Sequence, residues 1–151
     1  FFIDYDMQNI KEGEFIEKIQ VPWVSGIFRC YKVSKRFEQD ISAVAAGFQI
    51  KIKGKKVVAA RIAFGGMAAI PKRAKYCEEA IIGSPWEKYT VEKAKKALLE
   101  DFKPISDARA SKKYRILVAG NLLERFFIET TSKEGLFQLA DRRLYEEEKN
   151  A

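Results

Sequence analysis

A chain of 151 residues, 47% hydrophobic, 32% charged and 13% aromatic, has the size of one domain and enough large side chains to exclude disorder. It contains no histidine, which removes Ser-His and Cys-His nucleophilic pairs, imidazole metal sites and imidazole acid–base catalysis together. The net charge of +7 admits an anionic partner without choosing among nucleic acid, an anionic membrane, a phosphate-bearing cofactor or an acidic subunit.

In chain order, Glu14 to Val21 alternates Phe15, Ile19 and Val21 against Ile16, Lys18 and Gln20 and closes at Pro22, which predicts a strand with Glu17 as the imperfect member of its inner face. Ile16 is then an apolar side chain on the face where a polar one is expected. The turn-like pair Ser25-Gly26 leads into a second predicted strand, Ile27 to Ser34. The loop Lys32 to Asp40 that follows concentrates three basic residues, two acids and an aromatic between two apolar strands, the kind of place where function sits on a rigid sheet. Phe48, Ile50 and Ile52 alternate with Gln49, Lys51 and Lys53 in a third strand. Gly54 turns the chain, and Val57 to Phe64 returns as a fourth, making a hairpin with a short Gly-Lys loop.

After Gly65-Gly66 the apolar period changes from two to about 3.6. The spacing predicts a helix from Pro71 through Ala74, Cys77 and Ile81 to Gly83. A second runs from Val91 to Phe102 with Thr90 as N-cap, and a third from Ser111 to Ile128 along the stripe Tyr114, Leu117, Val118, Leu122 and Phe126. Pro104 and Ser106-Asp107 separate the last two. Strands followed by helices specify an α+β domain, an antiparallel sheet of three to four strands with three helices packed on one face. Residues 1–129 form this domain, and the acid-rich residues 130–151 are expected to be a tail or docking helix.

Several motifs fail. Gly47 to Lys56 has the wrong spacing for a phosphate-binding loop, and Lys56 stands where a magnesium-binding Ser or Thr belongs. Gly65-Gly66 is not a dinucleotide fingerprint and is expected to permit a tight turn or close packing. Cys30 and Cys77 are expected to be buried free thiols, since they form neither a CxxC nor a second pair. No window reaches the roughly 20 apolar residues of a membrane helix and no signal-peptide pattern opens the chain, so a cytoplasmic protein is expected. The chain starts at Phe1, and upstream sequence is expected to have been removed.

Other residues carry a resemblance. Gly13-Glu14-Phe15-Ile16 leading to Pro22, Tyr31-Lys32-Val33-Ser34-Lys35-Arg36 with Gln39-Asp40-Ile41-Ser42-Ala43-Val44, and Phe64-Gly65-Gly66-Met67-Ala68 resemble the C-terminal domain of the flavoprotein part of xanthine dehydrogenases and carbon monoxide dehydrogenases. Pro104 to Ser111, Tyr114-Arg115 and Asn121-Leu122-Leu123 look like the same family's closing helix. The resemblance implies part of a molybdenum hydroxylase in which electrons pass from iron–sulfur clusters through FAD to NAD. The partners implied are molybdopterin-binding and iron–sulfur subunits or domains and an upstream FAD-binding domain. It implies an apolar FAD contact at Ile16, a hydrogen bond or ion pair to the cofactor from Lys32, and a weaker role for Arg36. It also implies that the glycine-rich loops cradling the FAD pyrophosphate lie outside this chain. Phe37 departs from the basic residue of mammalian relatives. The competing readings are a basic nucleic-acid-binding module, suggested by Tyr and Phe among Lys and Arg, and a purely structural docking domain.

Overall fold

A computed structural model describes residues 1–22, 25–36 and 41–132. Phe2–Asp4 (β1) and Met7–Gln8 (β2) form a small hairpin that precedes the main sheet in the chain. That sheet is antiparallel, in the order β3 (Ile27–Val33), β4 (Val44–Lys53), β5 (Lys56–Gly65), β6 (Lys72–Arg73). Three helices follow, Lys75–Ile81 (α1), Lys88–Asp101 (α2) and Lys112–Thr131 (α3). The expected α+β architecture is therefore present.

The hairpin β4–β5 is the centre of the fold. Val44, Ala46, Phe48 and Ile50 point inward and are buried, and opposite them so are Ala60, Ile62 and Phe64. Val57 is buried with opposite parity because the register shifts between Lys51 and Ile52, a bulge that leaves Val58 exposed. The loop is Gly54-Lys55, where Gly54 takes φ +62 to let Lys53 and Lys56 pair. Against this face Phe48 stacks on Phe126 of α3 (5.2 Å, 14°) and meets Phe64 and Tyr31 edge-on or tilted.

Two buried carboxylates fasten the helices. Glu78 of α1 accepts the Ile62 N–H at 2.7 Å and the Arg73 Nε–H at 2.9 Å, tying helix, sheet and β6 together. Asp101, at the end of α2, accepts the N–H groups of Tyr76 (3.1 Å) and Cys77 (2.9 Å). It thereby caps α1, whose own Ala74 has no side chain to do so.

The structure corrects several expectations. Glu14 to Val21 forms no strand, because among the described residues no strand lies beside it to accept its backbone. Pro71 opens β6 and not a helix: Lys72 and Arg73 pair with Phe64 and Ala63, and α1 starts only at Lys75. α2 starts at Lys88, so Thr90 is buried inside it and the extended Glu87 precedes the first turn. On α3, Tyr114 and Leu117 are exposed, and the inward stripe is Arg115, Ala119, Leu122, Leu123 and Phe126. Its N-cap is Ser111 as expected, accepting the Tyr114 N–H at 3.2 Å. Cys77 is buried, which raises its thiol pKa, but Cys30 is exposed on the far side of the sheet. The expected tail or docking helix lies outside the described residues from residue 133 onward.

Candidate functional site

All three helices pack on one face of the sheet, leaving the other face to be read row by row from the strand register. Phe28, Gln49 and Arg61 make one row; Cys30, Gly47 and Ala63 the next; Lys32, Ala45 and Gly65 the third. Beyond Lys32 the third row holds no side chain larger than a methyl group, so a long cation stands beside a shallow floor. Among the described residues the Lys32 ammonium has no hydrogen-bond or ion-pair partner.

That row runs into a cleft of about 520 Å³ lined by Ala45, Gly65, Gly66, Met67, Ile105 and Arg109, with Tyr5 of the N-terminal hairpin at its edge. Its wall is set by one guanidinium. Arg115, only 3% exposed, donates from Nη1 to the carbonyls of Ala43 and of Gly66 (2.7 Å) and from Nη2 to both Asp107 oxygens at 2.7 Å. One side chain of α3 thus holds the loops before β4, after β5 and before α3. Gly66 sits at φ +78, and a Cβ there would fall on the Ala43 carbonyl oxygen, so glycine is required. The Ala110 N–H, the Arg115 guanidinium and the Arg109 N–H together lower the Asp107 carboxyl pKa to about 2.

A neighbouring groove of about 490 Å³ lies between Val33–Lys35 and the start of α3, lined by Ala108, Arg109, Ser111 and Tyr114. Lys35 bridges it by donating to the Ala108 carbonyl at 2.7 Å. Arg36 lies on the adjoining loop, its carbonyl accepting the Ser34 hydroxyl at 2.7 Å. Phe37 and the rest of that loop through Asp40 lie outside the described residues.

Ile16 is elsewhere. It is 54% exposed on the N-terminal arm, beside a cleft of about 480 Å³ with Phe1, Asn9, Ile10 and Phe15, and Lys32 does not line that cleft. The cleft beside Ile16 is thus not the one into which the Lys32 row runs. The Arg115–Asp107 clamp was missed in the sequence, although Arg115 is in phase with Ala119, Leu122 and Phe126. A charged residue on the apolar stripe of a helix is the signal that would have found it. No group of three metal-ligating side chains occurs among the described residues, and no helix there is long and apolar enough to cross a membrane.

Comparison with known proteins adds a lineage to this geometry. Residues 29–130 match the family described as CO dehydrogenase flavoprotein C-terminal domain. The glyceraldehyde dehydrogenase medium chain of Sulfolobus acidocaldarius is 30% identical over 121 residues, 80% of this chain and 43% of that one. A putative xanthine dehydrogenase FAD-binding subunit of Escherichia coli is 26% identical over 105 residues, 70% of this chain and 36% of that one. Among solved structures, carbon monoxide dehydrogenase from Hydrogenophaga pseudoflava superposes with a TM-score of 0.74 at 28% identity, covering 83% of this chain and 44% of that one. This chain spans less than half the length of each.

Proposed function

The chain belongs to the CO dehydrogenase flavoprotein C-terminal domain family, and from that premise we propose that it closes over the flavin in the FAD-binding unit of a xanthine dehydrogenase-like molybdenum hydroxylase. In this reading FAD is held mainly by glycine-rich loops outside these 151 residues. Electrons reach it from iron–sulfur clusters and leave to an acceptor, for which NAD is the candidate. Molybdopterin-binding and iron–sulfur subunits are the partners, and the compartment is the cytoplasm. The observation that carries the reading is the extent of the family match, which runs from within β3 almost to the end of α3.

The open face suits a flavin in two respects. The Ala45–Gly65 floor offers a planar ring no bulky side chain to displace, and Lys32 beside it has no competing partner among the described residues. FAD, when bound, supplies the redox chemistry. Lys32 contributes a fixed positive charge, which favours added negative charge on a neighbouring ring. Ile16 contributes an apolar surface that excludes water. Arg115 and Asp107 act at one remove, fixing the loops around the cleft.

The test is the visible absorption and midpoint potential of the assembly purified from its source, followed by the same measurements on Lys32→Ala and Lys32→Arg forms. The expected result is a flavin spectrum with iron–sulfur and molybdenum partners, a more negative potential in Lys32→Ala, and recovery of most of that shift in Lys32→Arg. An assembly without flavin overturns the reading.

A further inference from the structure

Residues 14–21 present a contradiction between local and tertiary structure. Their alternation, their β-branched and aromatic content and the terminating Pro22 are those of a strand. Yet Phe15 is 81% exposed, Ile19 80% and Val21 78%. Between Phe15 and Pro22 no backbone group has a hydrogen-bond partner among the described residues; the last bond is the Glu14 N–H to the Lys11 carbonyl, 3.0 Å, in the turn before. A lone strand has no ladder and no face to bury, and gains nothing from its own sequence.

Among the described residues the main sheet does not complete it. β3 is an edge strand of that sheet, and a simple hairpin through Ser25-Gly26 would lay the segment along it. Pro22 and Ser25 instead lie against the open face: the Ser25 carbonyl accepts the Gln49 side-chain N–H at 2.8 Å, and Pro22 and Ser25 line a cleft with Gln49, Lys51, Ala59 and Arg61. Gly26, at φ +102, passes so close to the Ile50 carbonyl that a Cβ would fall on it. These contacts place Pro22, the last residue of the arm, beside β4 and β5 rather than along the β3 edge. The arm also lies outside the family match, which starts at residue 29, while the two curated relatives described above are each more than twice as long as the part this chain covers.

We infer that residues 14–21 are a strand of a second sheet, supplied by the flavin-binding part of the assembly, so that the arm joins the two units by strand addition. The partner is a sheet edge with an apolar face: Phe15, Ile19 and Val21 enter its core, and its edge strand satisfies the backbone. Ile16, of opposite parity, then points to the other side of that sheet with Lys18 and Gln20. The inference rests on the proposed flavoprotein role for the identity of the partner.

Hydrogen–deuterium exchange of the peptide spanning residues 13–22 tests it, comparing the isolated 151-residue chain with the assembly purified from its source. Flavin absorbance is read on the same assembly. The expected result is exchange at the rate of an unstructured peptide in the isolated chain and slowing of about 100-fold or more in a flavin-containing assembly. Ile19→Pro, which removes a ladder N–H, is expected to leave the melting temperature of the isolated chain unchanged and to abolish the slowing. Rapid exchange of residues 15–21 in an assembly that does contain flavin overturns strand addition and leaves the flavoprotein role standing. Slow exchange in an assembly without flavin overturns the named partner together with that role. A chain recovered alone from its source, with the arm exchanging freely, overturns both.

Discussion

The body of the molecule, residues 25–132, and its N-terminal arm, residues 1–22, treat apolar side chains in opposite ways. The body buries 21 hydrophobic residues between one sheet face and three helices. The arm buries none, and every one of its residues is exposed, including ten large apolar ones from Phe1 to Val21. Both regions carry period-two patterning, in Phe48–Ile52 and in Phe15–Val21 alike. The difference is a partner: β4 lies between two strands and under α3, whereas the arm has neither. Alternation specifies which face a strand would bury, and only a second element makes burial happen.

The sharpest way to break this contrast is to remove an aromatic ring from each region. Phe48→Ala, which takes one ring away from Tyr31, Phe64 and Phe126 together, is expected to cost about 3–5 kcal/mol in a urea titration. Phe15→Ala in the isolated chain is expected to change stability by less than about 0.5 kcal/mol. Equal losses would mean that the arm folds into the body's core.

Next in size is the clamp. Arg115→Met leaves the carbonyls of Ala43 and Gly66 without their donor and is expected to cost about 2–3 kcal/mol by the same measurement. Its partner gives the body an acid sensitivity. The Asp107 pKa is lower in the folded than in the unfolded state, so the stability it contributes is present above about pH 4 and is lost as the pH falls toward about 2. Thermal melts between pH 5 and pH 2, scales set by those reference values, should show a shallower decline in Asp107→Asn than in the natural chain. The smallest effect expected in the body is that of Ser111→Ala, which removes the α3 cap and should cost about 1 kcal/mol.

From β3 onward, with β6 apart, the order strand, hairpin, helix, helix, helix was legible because the apolar period changes from two to 3.6 after Gly66 and because Gly54 and Ser111 mark their elements locally. What failed depended on partners remote in sequence. Pro71 reads as a helix start, yet the next two residues are claimed by the β5 edge and by Glu78. Thr90 reads as a cap, yet α2 begins at Lys88 and Thr90 itself is buried inside the helix. Lys32 was legible as a basic loop-edge residue. Its placement beside a floor of Ala45 and Gly65 was not, since that follows from register across three strands.

The amino-acid sequence by itself determined the fold class, the centre of the core and the family, because periodicity, turn residues and ordered motifs are local signals carried by neighbouring positions. Tertiary structure alone decided that Asp101 caps a helix 24 residues before it, that Arg115 fastens three loops, and that the arm lies apart from the main sheet. Each of these depends on which surfaces meet in space. A buried charge is tolerable only where its partners have been assembled around it, and a strand remains only a pattern until another backbone lies beside it.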